Sequence, residues 1–154
     1  MGFKSRGFSL IELMVGVMIV GILAAVSLGS LSAIQKSNDN AKRQADLRII
    51  QGALQQFYAD QHRYPLSLGS SLTNCSGATG CSITKNYLSS IPTDPIPGTS
   101  TPYCYAALTA VGGTACTDSN CHYYELGAKL DNPANPVASS CNGNTNYNYK
   151  VTPL

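Results

Sequence analysis

Hydrophobic and polar positions divide the chain into three stretches of different rhythm. From Leu10 to Ile34 nearly every position is apolar or small, and no charged residue occurs between Leu13 and Gln35. At about 1.5 Å per residue, a helical run of this length spans the roughly 30 Å hydrocarbon core of a bilayer. The second stretch, Gln35 to Pro65, is polar but striped, with Leu47, Ile50, Leu54 and Phe57 recurring at the spacing of one helix face. Lys42, Arg43, Asp46, Gln51, Gln55 and Asp60 are expected to lie away from that stripe. The first proline is Pro65, which disfavours helical geometry in the residue before it. The pattern therefore predicts one helix from Ser9 to about Arg63 or Tyr64, apolar over residues 8–35 and amphipathic over 36–64. Gly21 and Gly29 weaken it locally, and any loosening is expected between Gly21 and Ser30; the alternative is that these small residues serve close helix packing in lipid.

The third stretch, residues 65–154, is rich in Ser, Thr, Gly, Pro, Asn and Tyr, and holds all eight prolines. Such composition makes turns and loops between short strands. Strands are expected within Thr101–Val111, His122–Leu130 and Asn146–Thr152. Pro92, Pro95, Pro97 and Pro102 exclude regular helix or a central strand between Tyr87 and Tyr103. A small antiparallel sheet packed on the helix stripe would bury both apolar faces, which gives an α+β fold. Tyr103 with Tyr105, and Tyr147 with Tyr149, are spaced by two, so each pair is expected to share a strand face.

Charge adds orientation. Ten Lys and Arg stand against eight Asp and Glu, and Lys4 and Arg6 lie ahead of the apolar run. Positive residues there hold that end in the cytoplasm, so the remainder is expected to be exported. No basic face is left that would favour nucleic acid. Six cysteines, Cys75, Cys81, Cys104, Cys116, Cys121 and Cys141, all follow the run. An even count on an exported region points to disulfides. Local pairing of Cys75 with Cys81 and Cys116 with Cys121, leaving Cys104 with Cys141, is one of several open connectivities. A structural zinc site would favour tighter C-x₂₋₄-C pairs. Asp118, Glu125 and Asp131 could offer oxygens to a calcium ion, but no loop gathers them. His62 and His122 lack a nucleophile or acid partner in any recognisable motif. The expectation is a protein without catalytic machinery, metal or cofactor.

The chemically distinctive string is Gly7-Phe8-Ser9-Leu10-Ile11-Glu12, preceded by a basic leader and followed by the apolar run. It resembles the class III signal of type IV pilins and type II secretion pseudopilins. The phrase from Phe57 to Pro65 resembles a further family string, F-Y-x-D-x-G-x-Y-P, with His62 where Gly is usual. Tyr87 to Gly98 resembles the Y-L-x-x-L-P-x-D-P-W-G loop of major pseudopilins and some pilins, with Ile96 in place of Trp and Pro97 before Gly98.

The resemblance implies a lollipop-shaped subunit in which residues 1–7 are a prepilin leader. A prepilin peptidase would cut after Gly7 and methylate the new amine on Phe8. Phe8 and Glu12 are four apart and share a helix face. A carboxylate at the bilayer centre costs about 2.5–3.5 kcal/mol on insertion scales. Opposite charges 4 Å apart attract by about 4 kcal/mol at an effective dielectric of 20, so pairing offsets the cost. In the family the acid is thought to meet a neighbouring subunit's amine, which makes Glu12 an assembly residue. A partner in the same helix, or protonation, are the alternatives. The resemblance further implies a helical homopolymer, built by an inner-membrane platform with a cytoplasmic ATPase. The precursor would cross the inner membrane once, and the filament would be extracellular or periplasmic. It would serve as a pilus or, alternatively, as the pseudopilus of a type II secretion system.

Overall fold

The computed structural model describes residues 7–28, 31–76, 80, 82–96, 103–117, 121–133, 136, 139–141 and 144–154. The chain divides into two compact units, Met1–Ser37 and Asn38–Leu154.

In the first unit, helix α1 (Leu10–Leu28) begins two residues after Phe8. Its large apolar side chains from Leu10 to Val26 are all 48% exposed or more. No described residue of the unit covers them, which suits a helix whose solvent is lipid or other helices. The stretch beginning at Leu10 is long and apolar enough to cross a membrane. Gly21 lies within α1. Gly29 and Ser30, the far end of the expected weak segment, lie outside the described residues.

Helix α2 (Leu31–Gln61) enters the second unit at Asn38. It stops at Gln61, short of the expected Arg63, because His62 takes a left-handed conformation with φ of 53°. The His62 N–H donates to Tyr58 O at 2.8 Å, closing the last turn as an αL cap. Leu47, Ile50, Leu54 and Phe57 are all fully buried, as the stripe requires.

The strands are β1 (Leu72–Thr73), β2 (Asn86–Leu88), β3 (Cys104–Leu108), β4 (Tyr123–Ala128), β5 (Ser139–Cys141), β6 (Asn144–Tyr147) and β7 (Tyr149–Val151). They form an antiparallel three-stranded sheet in the order β3-β4-β7 and two small antiparallel pairs, β1-β2 and β5-β6. The α+β class expected from composition is the observed one, although among the described residues the single expected sheet is three. The core sits between α2 and the larger sheet, around the fully buried Tyr124, Leu126 and Phe57. Tyr124 meets Tyr64 edge-on at 4.7 Å and stacks on Tyr105 at 6.0 Å.

The strand expected over Asn146–Thr152 is two strands in different sheets. Asn148 divides them. Its side chain donates to Leu130 O at 2.8 Å and accepts from Leu130 N at 2.7 Å, imitating a backbone pair. Tyr147 and Tyr149 consequently belong to separate clusters and share no strand face. Tyr103 and Tyr105 do point the same way, towards α2 and its exit, donating to Asp46 Oδ2 and Pro65 O.

Candidate functional site

Gly7, Phe8 and Ser9 lead into α1 without helical structure, and all three are exposed. The Glu12 and Leu13 N–H groups donate to Ser9 O at 3.0 and 3.2 Å, so the first turn is closed from Ser9. Glu12 stands in that first turn, where the positive end of the helix dipole favours an acid. Phe8, Glu12, Leu13, Gly16, Val17 and Val20 border a shallow, almost wholly apolar hollow of about 320 Å³. Among the described residues no cation pairs with Glu12. Lys4 and Arg6 lie outside the described residues. The first turn thus presents one carboxylate at the border of an apolar surface.

A second polar cluster lies in the other unit, where the sequence pattern places none. Arg43, Asp46 and Gln51, expected to face away from the stripe, are only 4%, 7% and 5% exposed. Arg43 precedes Leu47 by one helical turn and therefore lies on the same face, which is the signal the pattern contains. Arg43 Nε and Nη2 donate to Asp94 at 2.9 and 3.2 Å, and its Nη1 to Asp131 at 3.2 Å. Burial opposes the guanidinium charge, but the bonds from Asp94 and then Asp131 outweigh it and raise its pKa. Asp46 accepts from Tyr103 Oη at 2.7 Å, and Gln51 donates to Thr152 O at 2.8 Å. Burial, and then the bond to Asp46, push the Tyr103 phenol far above its ordinary range. Asp94 also accepts from Ile96 N–H at 2.9 Å, which ties the proline-rich loop to α2. These groups fix loops to the helix.

The cysteines staple the same unit. The structure joins Cys104 to Cys141, with Cα atoms 6.0 Å apart, and Cys116 to Cys121, with Cα atoms 5.8 Å apart. The first bridge ties β3 to β5 and the second closes a short loop before β4. Cys75 is disulfide-bonded, while Cys81 lies outside the described residues. No group of three His, Cys, Asp or Glu side chains among the described residues could hold a metal ion. Glu125 pairs with Lys150 at 3.1 Å and Asp131 with Arg43, while Asp118 lies outside the described residues. His62 caps a helix and His122 is exposed.

Residues 2–28 match the prokaryotic N-terminal methylation motif. Over 130 residues the chain is 30% identical to a type II secretion system core protein G of Pseudomonas aeruginosa, covering 76% of this chain and 92% of that protein. It is 36% identical over 62 residues to the core protein G of Escherichia coli (strain K12), covering 40% of this chain and 43% of that one. It is 34% identical over 61 residues to the type IV major pilin protein PilA of Myxococcus xanthus (strain DK1622), covering 40% of this chain and 28% of that one. The chain thus spans about two fifths of the length of several curated relatives it matches. No solved structure matches.

Proposed function

Since the chain belongs to the superfamily of type IV pilins and type II secretion pseudopilins, we propose that it is a structural subunit of a type IV pilus-like filament, polymerised through its N-terminal helix. One observation carries the reading. Three residues after Gly7 begins a helix whose large apolar side chains from Leu10 to Val26 are exposed, with one acid in its first turn. Residues 1–7 are the leader, cut after Gly7 on the cytoplasmic face, and Phe8 becomes a methylated amine. Residues 8–35 hold the precursor in the inner membrane and later line the fibre core. There Glu12 meets the Phe8 amine of a neighbour, so that charge pairing in a low-dielectric core sets axial register. Residues 36–64 carry the exported region, 65–154, whose disulfides fix its loops. A membrane platform with a cytoplasmic ATPase drives assembly, and the subunit supplies packing and register without catalysis.

Mass spectrometry of the purified polymer tests this. An N-terminal peptide beginning at methylated Phe8 is expected. A polymer that retains residues 1–7, or a chain that never polymerises, overturns the reading.

A second reading, the pseudopilus of a secretion system, has its own support in the breadth of the likeness to a core protein G. Long surface fibres containing this chain favour the pilus. Loss of an exported protein on deletion, without surface fibres, favours the pseudopilus.

A further inference from the structure

Four successive residues of α2, Ser37, Asn38, Asp39 and Asn40, are of the kind that starts a helix, yet they stand inside one. Ser, Asn and Asp are poor in a helix interior because their short polar side chains compete for the backbone. For the same reason they lead at N-caps. No other four consecutive residues of α2 are of this kind. As a start the order is favourable. With Ser37 at the N-cap, Asp39 falls in the first turn, where the positive end of the helix dipole favours an acid.

The support of the helix changes at the same place. Residues 31–38 are exposed, Asp39 and Asn40 are half-buried, and Arg43 is buried. The second compact unit begins at Asn38. Asn40 is tied to the backbone of Asp131 through both ends of its amide. Its Nδ2 donates to Asp131 O at 2.8 Å, and its Oδ1 accepts from Asp131 N–H at 2.9 Å. Arg43 Nη1 donates to the same Oδ1 at 3.4 Å while Arg43 also holds Asp94 and Asp131. From Asn40 onward α2 is therefore held by tertiary bonds, whereas the exposed residues before it draw no support from burial, and an unpacked helical segment is marginal in water.

We propose that Ser37 is a second N-cap built into α2 and Asn40 its anchor, so that local unwinding entering from the N-terminal side stops there. In the unwound form Ser37 Oγ accepts from Asn40 N–H, as an N-cap accepts from the third helical residue. The Ser37 C=O keeps its bond from Ala41 N–H. The amides of residues 35–39 open, while Asn40 stays on Asp131 and the core around Leu47, Ile50 and Leu54 is undisturbed. The stem thereby changes its winding, in lipid or in a fibre, without loosening the second unit. The inference goes beyond the filament reading and applies to the single chain.

Residue-resolved amide hydrogen exchange of the full chain in detergent micelles tests this, read as protection relative to each amide's intrinsic rate. Residues 35–39 are expected to be at least about tenfold less protected than residues 41–47. Equal protection, or a step elsewhere, overturns the proposal. Ser37→Val separates capping from helix preference, because Val matches Ser in a helix interior but does not cap. Loss of the cap makes the unwound form rarer, so protection over residues 35–39 is expected to rise about fivefold. Unchanged or lower protection there overturns the cap. Asn40→Ala leaves the cap and removes the anchor. Protection over residues 41–43 is expected to fall at least about threefold, while Leu130 N–H, held by Asn148, keeps its own. Unchanged protection over residues 41–43 overturns the anchor. None of these outcomes bears on the filament reading, which the N-terminal peptide of the polymer decides.

Discussion

Arg43 and Asp94, separated by 51 positions in sequence, face each other through two parallel hydrogen bonds of 2.9 and 3.2 Å, with both side chains buried. Asp131, the second acid on Arg43, is partly exposed. Removing the cation leaves the buried Asp94 uncompensated, whereas removing Asp94 leaves Arg43 its bond to Asp131. Arg43→Ala is therefore expected to destabilise the exported unit by about 3–5 kcal/mol, and Asp94→Ala by less. Thermal denaturation of the full chain in detergent, followed through its tyrosines, checks the order. Equal losses would mean that Asp131 contributes nothing to the pairing.

His62 occupies the left-handed cap of α2, where a side chain is strained and glycine is not. His62→Gly is expected to raise stability by about 1 kcal/mol, read as a higher melting temperature. The family string that has Gly in this place meets the same backbone requirement. A lower melting temperature would show that the imidazole contributes more than its strain costs.

Asp60, Lys85 and Tyr87 form an exposed cluster in which Asp60 bonds Lys85 Nζ and accepts from Tyr87 Oη at 2.9 Å. The bond to Lys85, then that to Tyr87, lowers the Asp60 pKa below 3.8, and the bond to Asp60 raises that of Lys85 above 10.5. A lowered acid contributes stability above its unfolded value and loses it as pH falls through the folded one. A raised amine contributes below its unfolded value and loses it as pH rises through the folded one. Asp60→Asn is thus expected to be less stable than wild type between those limits. The difference should vanish in acid below the depressed Asp60 value. A difference independent of pH would assign the effect to packing.

Glu12→Ala removes the one acid of the α1 surface and keeps its apolar character. Membrane insertion is expected to persist, because loss of a charge eases it. Incorporation beside wild-type subunits should fall by at least about fivefold if each misplaced stem forfeits a charge pair of about 1 kcal/mol or more. Quantifying tagged Glu12→Ala chains in sheared filaments against the membrane pool gives the ratio. Equal incorporation would remove Glu12 from assembly.

The sequence by itself determined the features that depend on near neighbours. The apolar run, the one-turn spacing of Leu47, Ile50, Leu54 and Phe57, and the acid four residues from Phe8 are periodic or adjacent, and helix geometry alone interprets them. The strands around Tyr105 and Tyr124 were legible for the same reason, through alternation and bounding turns.

Only the tertiary structure decided what polar groups on the helix do. Arg43 and Asp46 read as solvated because their partners, Asp94, Asp131 and Tyr103, arrive from loops 51, 88 and 57 positions away. A buried charge is tolerable only once those partners are in place, and no local pattern announces them. Asn148 likewise breaks a strand by bonding a backbone 18 positions distant. Hydrogen-bond satisfaction is a property of the folded chain, whereas hydrophobic periodicity is a property of the residue order.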